Sequence, residues 1–225
     1  MMPRLVLFDC DGTLVDSQQM IVATMTEAFA KVGHAPPERA GVLSIIGLSL
    51  PEAIGRLGPG LDTVSVGLVA DAYRDTYQAM RFRLAETAPL YPGALDALRA
   101  LAAHDDVLLG IVTGKSRRGL DAILETHGLA GTFSVLRTAD DGPSKPHPFM
   151  VVDAVAALGG DVARTVVVGD TGYDMLMARA AGALALGVTW GYNSRDQLVE
   201  AGAQALADDF SEVPGLAMGL LDRKE

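Results

Sequence analysis

The N-terminal part of the sequence combines a short apolar run with two carboxylates that end it. The run extends from Leu5 to Phe8, and Asp9 and Asp11 follow directly. Consecutive apolar residues of strand type predict a strand buried on both faces, as in the middle of a parallel sheet. Because side chains alternate along a strand, the two carboxylates point to the same side, about 7 Å apart along the chain. Gly12 then permits a sharp turn.

The position of this acidic pair favours a reaction site over a packing role. Carboxylates at the C-terminal end of a buried strand lie where open α/β sheets bind their ligands. The pair could instead cap the next helix, but Asp16 and Ser17 already supply N-cap candidates for a helix that begins near Gln18. The pattern Asp-x-Asp-Gly-Thr therefore predicts chemistry at Asp9 and Asp11.

The charge of the chain limits its partners. The 225 residues carry a formal net charge of −10, whereas nucleic acids and anionic membranes select basic surfaces. We therefore expect no nucleic acid and no membrane as partner. The single cysteine, Cys10, cannot form an internal disulfide, and we expect a small buried side chain rather than a nucleophile. With no signal peptide and no long apolar run recognised, we expect a cytoplasmic protein.

Helical spacing dominates the chain between the first strand and about Thr87. Apolar residues recur every three or four positions in the predicted helix that begins near Gln18, and again over 63–80. Two shorter helices are predicted over 39–46 and 50–57. Because no strand interrupts this stretch, we predict that 17–87 forms an inserted helical cap.

Strands and helices alternate regularly after residue 88. Strands are predicted over 107–112, 133–136, 165–168 and 183–188 and near 205, and helices over 94–103, 117–127, 149–158, 175–181 and 195–201 and from 213. Such alternation implies a parallel sheet with helices on both faces. We therefore predict an α/β fold, a Rossmann-like doubly wound parallel sheet core built from 1–16 and 88–225.

Polar side chains that follow the later strands are predicted to meet the first two carboxylates. Thr113 follows the strand at 107–112, Lys145 comes one loop later, and Asp170 and Asp174 follow the buried strand at 165–168. Singly, Thr113 and the late aspartates could be helix caps, and Lys145 could be a solvated side chain. Their shared placement at strand ends favours one common crevice.

In these motifs the chain resembles the haloacid dehalogenase-like hydrolases, whose phosphatases carry Asp-x-Asp-Gly-Thr in this position. The resemblance extends over nearly the whole chain, including the cap that follows the first motif. It implies that Asp9 attacks phosphorus and becomes an aspartyl phosphate, while Asp11 serves as general acid and base. Two further segments, 145–148 and 190–193, look most like phosphoglycolate phosphatases. We therefore expect a small phosphorylated metabolite as substrate, with 2-phosphoglycolate first.

The resemblance also implies a bound Mg²⁺ ion. Phosphate beside several aspartates would be repelled unless a cation lay between them, and hard oxygen ligands suit Mg²⁺. The expected ligands are the Asp9 carboxylate, the backbone carbonyl of Asp11 and the Asp170 carboxylate. Asp174 is expected to lie behind them, where it would orient the groups around the metal or Lys145.

The phosphate oxygens need donors at the same strand ends. The expected donors are the Lys145 ammonium, the Thr113 hydroxyl and the backbone N–H groups of Gly12, Thr13 and Gly114. Two departures from the family pattern adjoin this site: Gly114 stands where many relatives have Asn or Ser, and Gly172-Tyr173 is an uncommon pair within the acidic motif. Specificity is expected from the cap, whose candidates are Gly47, Arg56, Arg81 and Arg83, with an arginine able to grip a substrate carboxylate.

Other functions share part of this pattern. A sugar phosphomutase of the β-phosphoglucomutase type would use the same catalytic residues and Mg²⁺, and the sequence separates it poorly from a phosphatase. Dehalogenases lack the acid and base that Asp11 supplies, and a phosphonate-cleaving enzyme needs a cap lysine, of which 17–87 has only Lys31. A non-catalytic binding module is disfavoured because Asp9, Lys145 and Asp170 are intact. For the assembly we expect a monomer or a homodimer.

Overall fold

The sheet is parallel throughout. The structure, a computed structural model, describes residues 2–84 and 88–223, and of residues 81–84 it describes only the backbone. Six strands pair in the spatial order β3-β2-β1-β4-β5-β6. They are β1 (Arg4–Phe8), β2 (Val107–Val112), β3 (Val135–Arg137), β4 (Thr165–Gly169), β5 (Leu184–Val188) and β6 (Ala205–Ala207). The strand order reverses between β1 and β4, and this is where ligands bind in doubly wound sheets.

Helices form the connections between these strands. They are α1 (Gln18–Lys31), α2 (Arg39–Ser44), α3 (Leu50–Leu57), α4 (Thr63–Leu84), α5 (Ala94–Ala102), α6 (Arg117–Thr126), α7 (Phe149–Ala157), α8 (Gly172–Ala181), α9 (Arg195–Glu200) and α10 (Val213–Leu221). A 3₁₀ turn at Val162–Arg164, which the sequence did not predict, precedes β4. The predicted fold class is confirmed. Within the described residues, no helix is both long and apolar enough to cross a membrane.

The alternation of side chains along β1 explains why helices cover both faces of the sheet. Val6 and Phe8 belong to an apolar cluster that includes residues of α5, α6 and α10. Leu5 and Leu7 belong to a second cluster, with residues of α7 and α8. All four side chains are fully buried, so a charge introduced on either face of β1 would have no access to water.

Two predicted boundaries were wrong for local reasons. The strand predicted over 133–136 is observed at Val135–Arg137, beside β2. The helix predicted from Met175 begins at Gly172, because Thr171 and Asp174 form a capping box. Each of these two residues accepts a hydrogen bond from the backbone N–H of the other, which satisfies donors at the helix start. Asp174 therefore lies inside the first turn of α8 rather than in a loop.

The first four helices pack around an apolar cluster of their own. Its buried members include Ile21, Met25, Phe29, Val42, Ile54 and Val69. The chain leaves and returns to the sheet at one place, where the Asp16 N–H donates to the Pro89 carbonyl oxygen at 2.8 Å. We propose on these grounds that 17–87 acts as a cap on a core of 1–16 and 88–225. The predicted boundary at Thr87 lies outside the described residues.

Candidate active site

Three carboxylates meet at the reversal point of the sheet. Asp9 continues β1, and its N–H donates to the Val168 carbonyl oxygen at 2.9 Å. Asp170 follows β4, and Asp174 lies in the first turn of α8. One oxygen of each of these three aspartates lies within 4.8 Å of the others, and all three side chains are buried. The strand ends therefore bring together residues more than 160 positions apart in the sequence.

Lys145 reaches the same point from the loop before α7. Its Nζ lies 2.6 Å from Asp174 Oδ1 and 2.9 Å from Asp9 Oδ1, and its side chain is fully buried. Burial alone would lower the pKa of Lys145, but the charges of Asp174 and Asp9 outweigh burial and raise it. Lys145 is therefore held as an ammonium against the carboxylates.

Asp9 is the least satisfied member of this group. Its side chain is 1% exposed, and within the described residues neither carboxylate oxygen has a hydrogen-bond partner. Lys145 approaches Oδ1 at ion-pair distance but without hydrogen-bond geometry. Burial raises the pKa of Asp9 to about 6, although Lys145 opposes the shift. Buried carboxylate oxygens without hydrogen-bond partners are unusual, and a bound cation would satisfy Oδ2, for which no ion pair is seen among the described residues either.

Asp170 is held by two donors. Its Oδ1 accepts a hydrogen bond from Thr13 Oγ1 at 2.9 Å, and its Oδ2 accepts one from the Tyr192 N–H at 2.8 Å. A Cβ atom at Gly12 would lie 2.2 Å from Asp170 Oδ2, so only glycine fits beside this carboxylate. Burial, and after it the charges of Asp174 and Asp9, raise the pKa of Asp170 well above its usual value.

Asp174 has both carboxylate oxygens engaged. Oδ1 accepts from Lys145 Nζ at 2.6 Å, and Oδ2 accepts from the N–H and Oγ1 of Thr171 at 3.1 and 2.7 Å. This bonding suits the predicted supporting position of Asp174 better than direct metal ligation. The ammonium of Lys145 thus faces three carboxyl groups, and one lysine cannot balance the charge of all three when they are ionised. The donor set therefore fits a hard divalent cation.

Asp11 lies beside this cluster with a separate set of contacts. Its Oδ1 accepts a hydrogen bond from Ser17 Oγ at 2.5 Å, and its Oδ2 lies 3.0 Å from Lys115 Nζ. The expectation that Ser17 caps α1 was wrong for its side chain, which makes no cap hydrogen bond. Its hydroxyl orients Asp11 instead, and it lies 3.2 Å from the Tyr192 hydroxyl.

Lys115 is the site residue that the sequence analysis missed. Its side chain is 8% exposed, and its Nζ contacts both Asp11 and the face of the Tyr77 ring, 5.2 Å from the ring centroid. Burial alone would lower its pKa, but Asp11 and neighbouring groups raise it well above its usual value. The available signal was its place in the loop after β2, two residues beyond Thr113, since basic residues at such strand ends face the ligand crevice.

The predicted phosphate donors lie at the expected loops, but they are not equally free. Thr113 is buried and lines a cavity above Asp9, as does Gly114. The Gly12 N–H donates to the Val15 carbonyl oxygen at 2.9 Å, so this turn already uses the donor. In the described part of the chain, the N–H groups of Thr13 and Gly114 have no acceptor, which leaves them available to an anion.

The departure at Gly114 has a steric reason. A Cβ atom there would lie 2.4 Å from the Gly47 carbonyl oxygen and 2.7 Å from the Leu48 carbonyl oxygen. Gly47 therefore lines the cavity where the loop after α2 meets the loop after β2. The Ser49 N–H donates to Ser144 Oγ at 2.7 Å, which is a second contact between cap and core.

Replacement of Gly114 by alanine is expected to push these two loops apart. Backbone carbonyl atoms cannot yield as a flexible side chain can, so we expect kcat/KM to fall about tenfold, with a smaller loss of thermal stability. Gly55, where an added Cβ meets no atom within 4 Å, supplies the matched control as Gly55→Ala. Equal kinetics for both variants and the unmodified enzyme would show that this contact is dispensable.

Tyr173, the other departure from the family pattern, contacts Arg56, which was predicted to bind the substrate. The Tyr173 hydroxyl donates to the Ser44 carbonyl oxygen at 3.2 Å and accepts from Arg56 Nη1 at 3.0 Å. Arg56 also pairs with Glu52 at 2.9 Å, and it does not line the cavity. In this arrangement Arg56 joins the cap to the core rather than facing a substrate. The side chains of the other two arginine candidates, Arg81 and Arg83, lie outside the described residues.

The chain is similar to known proteins over most of its length. The model of a family described as "Haloacid dehalogenase-like hydrolase" matches residues 6–188. "Probable phosphatase IndB" of Dickeya dadantii is 38% identical over 223 residues, which cover 98% of this chain and 96% of that protein. A "Phosphoglycolate phosphatase" of Rhodospirillum rubrum is 33% identical over 221 residues, which cover 94% of this chain and 90% of that protein. A crystal structure of a predicted phosphoglycolate phosphatase from Haemophilus somnus has a TM-score of 0.81 at 25% identity, covering 96% of this chain and 98% of that one.

Proposed function

Because this chain belongs to the haloacid dehalogenase-like hydrolase family and is a phosphatase, we propose that it cleaves the phosphate monoester of a small metabolite through an aspartyl phosphate on Asp9. The observation that carries this proposal is the Asp9 carboxylate. It is buried at the end of the central strand, lacks hydrogen-bond partners within the described residues, and lines a cavity. A carboxylate in this state is poised as a nucleophile rather than as a structural group.

The residues around Asp9 suit two successive displacements. In the first, an Asp9 oxygen bonds to phosphorus and the bond to the leaving alkoxide breaks, with Asp11 supplying the proton. In the second, water attacks phosphorus, Asp11 takes the proton of the water, and the bond between phosphorus and Asp9 breaks. Lys145 would hold the phosphoryl oxygens throughout, and the Thr113 hydroxyl would add a donor.

A divalent cation fits the same residues. The Asp9 and Asp170 carboxylates and the Asp11 backbone carbonyl would hold it, while Asp174 would keep its bonds to Lys145 and Thr171. When bound, Mg²⁺ would supply positive charge for the excess of carboxylates and for the phosphoryl oxygens. Asp9 Oδ2, which has neither a hydrogen bond nor an ion pair among the described residues, supports this proposal.

2-Phosphoglycolate is the first substrate to test, since the relative from Rhodospirillum rubrum is named for it. A phosphomutase would share Asp9, Asp11 and Lys145, but it would return the phosphoryl group to a sugar instead of releasing phosphate. A binding module would have no need of Lys145 beside an unsatisfied nucleophile. Product analysis separates all three.

Phosphate release should require a divalent metal. With 2-phosphoglycolate and other small phosphate esters as substrates, we expect EDTA to lower kcat/KM at least about 100-fold and Mg²⁺ to restore it, because a metal supplies several kcal/mol of charge stabilisation. The assay measures free phosphate and, for hexose phosphates, isomer composition. Isomerisation without phosphate release would favour the mutase, and full activity in EDTA would contradict the metal assignment.

A further inference from the structure

The cavity above Asp9 and Asp11 is larger than a two-carbon acid requires. Its volume is about 610 Å³. Cavities of roughly 300–1,000 Å³ hold ligands of drug size. A substrate as small as 2-phosphoglycolate would leave most of this space to water. The cavity therefore suits a larger alcohol on the phosphate.

The part of the cavity formed by the cap is mainly apolar, and its polar side chains besides the tyrosines are Ser49, Arg74 and Gln78. The side chains that line it come from α1, the loop after α2, the start of α3, and α4, and they include Ile21, Met25, Ile45, Ile46, Leu48 and Leu50. Burial of an apolar group against such a surface is favourable, whereas a carboxylate placed there would lose its hydration without a partner. Because the phosphate lies at the aspartates, this wall contacts the alcohol part of the substrate. It therefore favours an apolar alcohol over a charged one.

The described cations of the cavity are poorly placed to receive a substrate carboxylate in its interior. Lys115 is already paired with Asp11 at 3.0 Å. Arg74 pairs with Asp71 at 2.7 Å, and its side chain is 55% exposed. Arg118 is exposed as well. The interior thus offers mainly apolar surface, and its one cation, Lys115, is already paired with Asp11. A substrate whose alcohol carries a carboxylate would need a free cation there.

Two tyrosines on α4 supply a flat surface in this wall. The rings of Tyr73 and Tyr77 are stacked one helical turn apart, with centroids 6.0 Å apart and planes inclined by 21°. Lys115 lies over Tyr77, and the charges of both Lys115 and Asp11 act on the Tyr73 hydroxyl. Neither hydroxyl has a hydrogen-bond partner among the described side chains. Aromatic faces of this kind favour stacking with another planar ring.

We propose that the substrate is the phosphate ester of an alcohol that carries a planar ring, and that Tyr73 determines this specificity by packing against the ring. The inference rests on the proposed function, because it takes Asp9 as the point of phosphoryl attachment. The proposed substrate differs from 2-phosphoglycolate, which the sequence analysis placed first. The carboxylate of 2-phosphoglycolate would need a cation in the cavity wall rather than an aromatic ring.

Four esters with comparable leaving alcohols test the proposal: ethyl phosphate, 2-phosphoglycolate, 2-cyclohexylethyl phosphate and 2-phenylethyl phosphate. We expect the phenyl ester to have a KM about tenfold lower than ethyl phosphate and about threefold lower than the cyclohexyl ester. Tyr73→Leu keeps an apolar side chain but removes the ring, and it should remove the preference for the phenyl ester. Tyr73→Phe keeps the ring and should retain the preference.

Binding measured without turnover separates this inference from the proposed function. Titration calorimetry of Asp9→Asn in EDTA gives Kd for the phenyl and cyclohexyl esters whether or not the enzyme cleaves them. Tighter binding of the phenyl ester that Tyr73→Leu abolishes supports the inference. Equal Kd values for the two esters overturn it, as does a KM that is lower with 2-phosphoglycolate than with either ester. Absence of phosphate release from all four esters, with ring-selective binding retained, would overturn the phosphatase mechanism alone.

Discussion

Replacement of Asp9 by asparagine is expected to lower kcat by about 10⁴-fold or more, because an amide oxygen cannot form the phosphoryl ester that the proposed mechanism requires. The side chain keeps its size, so the sheet should fold as before. Phosphate release under saturating substrate and Mg²⁺ measures the effect. Asp121→Asn, at an exposed ion pair with Arg117 on α6, makes the same chemical change outside the site and should keep full activity.

The same variant should be more stable than the unmodified protein when metal is absent and the pH is neutral. The pKa of Asp9 is raised to about 6 in the folded state, against about 3.9 in an unfolded chain. Folding therefore favours the protonated form, and this contribution is full below about pH 4 and is lost as the pH rises through 6. Above that pH the ionised, buried Asp9 destabilises the fold, and asparagine removes this charge.

Thermal unfolding in EDTA at several pH values checks the sign. The difference in Tm between Asp9→Asn and the unmodified protein should be smallest near pH 4 and should grow in favour of the variant up to about pH 7. Mg²⁺ should then reverse the order at neutral pH, since it binds only the carboxylate form strongly. A Tm difference that does not vary with pH would mean that Asp9 is not strained by its burial, and the main support for its role as nucleophile would be lost.

Replacement of Lys145 by methionine is expected to destabilise the metal-free protein by about 3–5 kcal/mol at neutral pH, the range found when one partner of a buried ion pair is removed. Methionine fills similar space, so the loss comes from charge. Without Lys145 the carboxylates of Asp9 and Asp174 lose the ammonium that lies 2.9 and 2.6 Å from them. Turnover should also fall sharply, because the phosphoryl oxygens lose their cation.

Urea unfolding in EDTA measures this loss, and Arg99→Met supplies the control. Arg99 forms an exposed ion pair with Asp96 on α5, and its removal should cost less than about 1 kcal/mol. If Lys145→Met fails to fold, the double variant Lys145→Met with Asp174→Asn should recover stability, since it removes one charge of each sign. A loss below about 1 kcal/mol for Lys145→Met would show that the buried pairs contribute no more than surface pairs do.

The sequence by itself determined the strands of the sheet and the order in which the candidate site residues follow them. Local patterns are enough for this, because a buried parallel strand needs a continuous apolar run and its end is marked by the first polar residue. Asp9, Thr113 and Asp170 each follow such a run directly, so their common placement could be predicted without the tertiary structure. Lys145 was predicted from its loop and from the resemblance, and the structure places it against Asp9 and Asp174.

Other contacts depended on parts of the chain that no local pattern connects. Ser17 has the sequence position of a helix cap, yet its hydroxyl binds Asp11 because the chain turns back at Gly12. Arg56 was predicted to face a substrate, but packing of α3 on the core places it against Tyr173. A long side chain can reach several partners at similar cost, so its partner is fixed only when distant elements have packed.

The tertiary structure alone decided the shape of the cavity and the reason for Gly114. Its missing side chain leaves room for the carbonyl oxygens of Gly47 and Leu48, from a loop more than 60 residues earlier. Likewise, the spacing of Tyr73 and Tyr77 in the sequence places them on one face of a helix, where their rings stack. Only the tertiary structure brings Tyr77 against Lys115. Chemistry at strand ends is encoded locally, whereas the selection of a substrate depends on surfaces that are formed when the cap and the core meet.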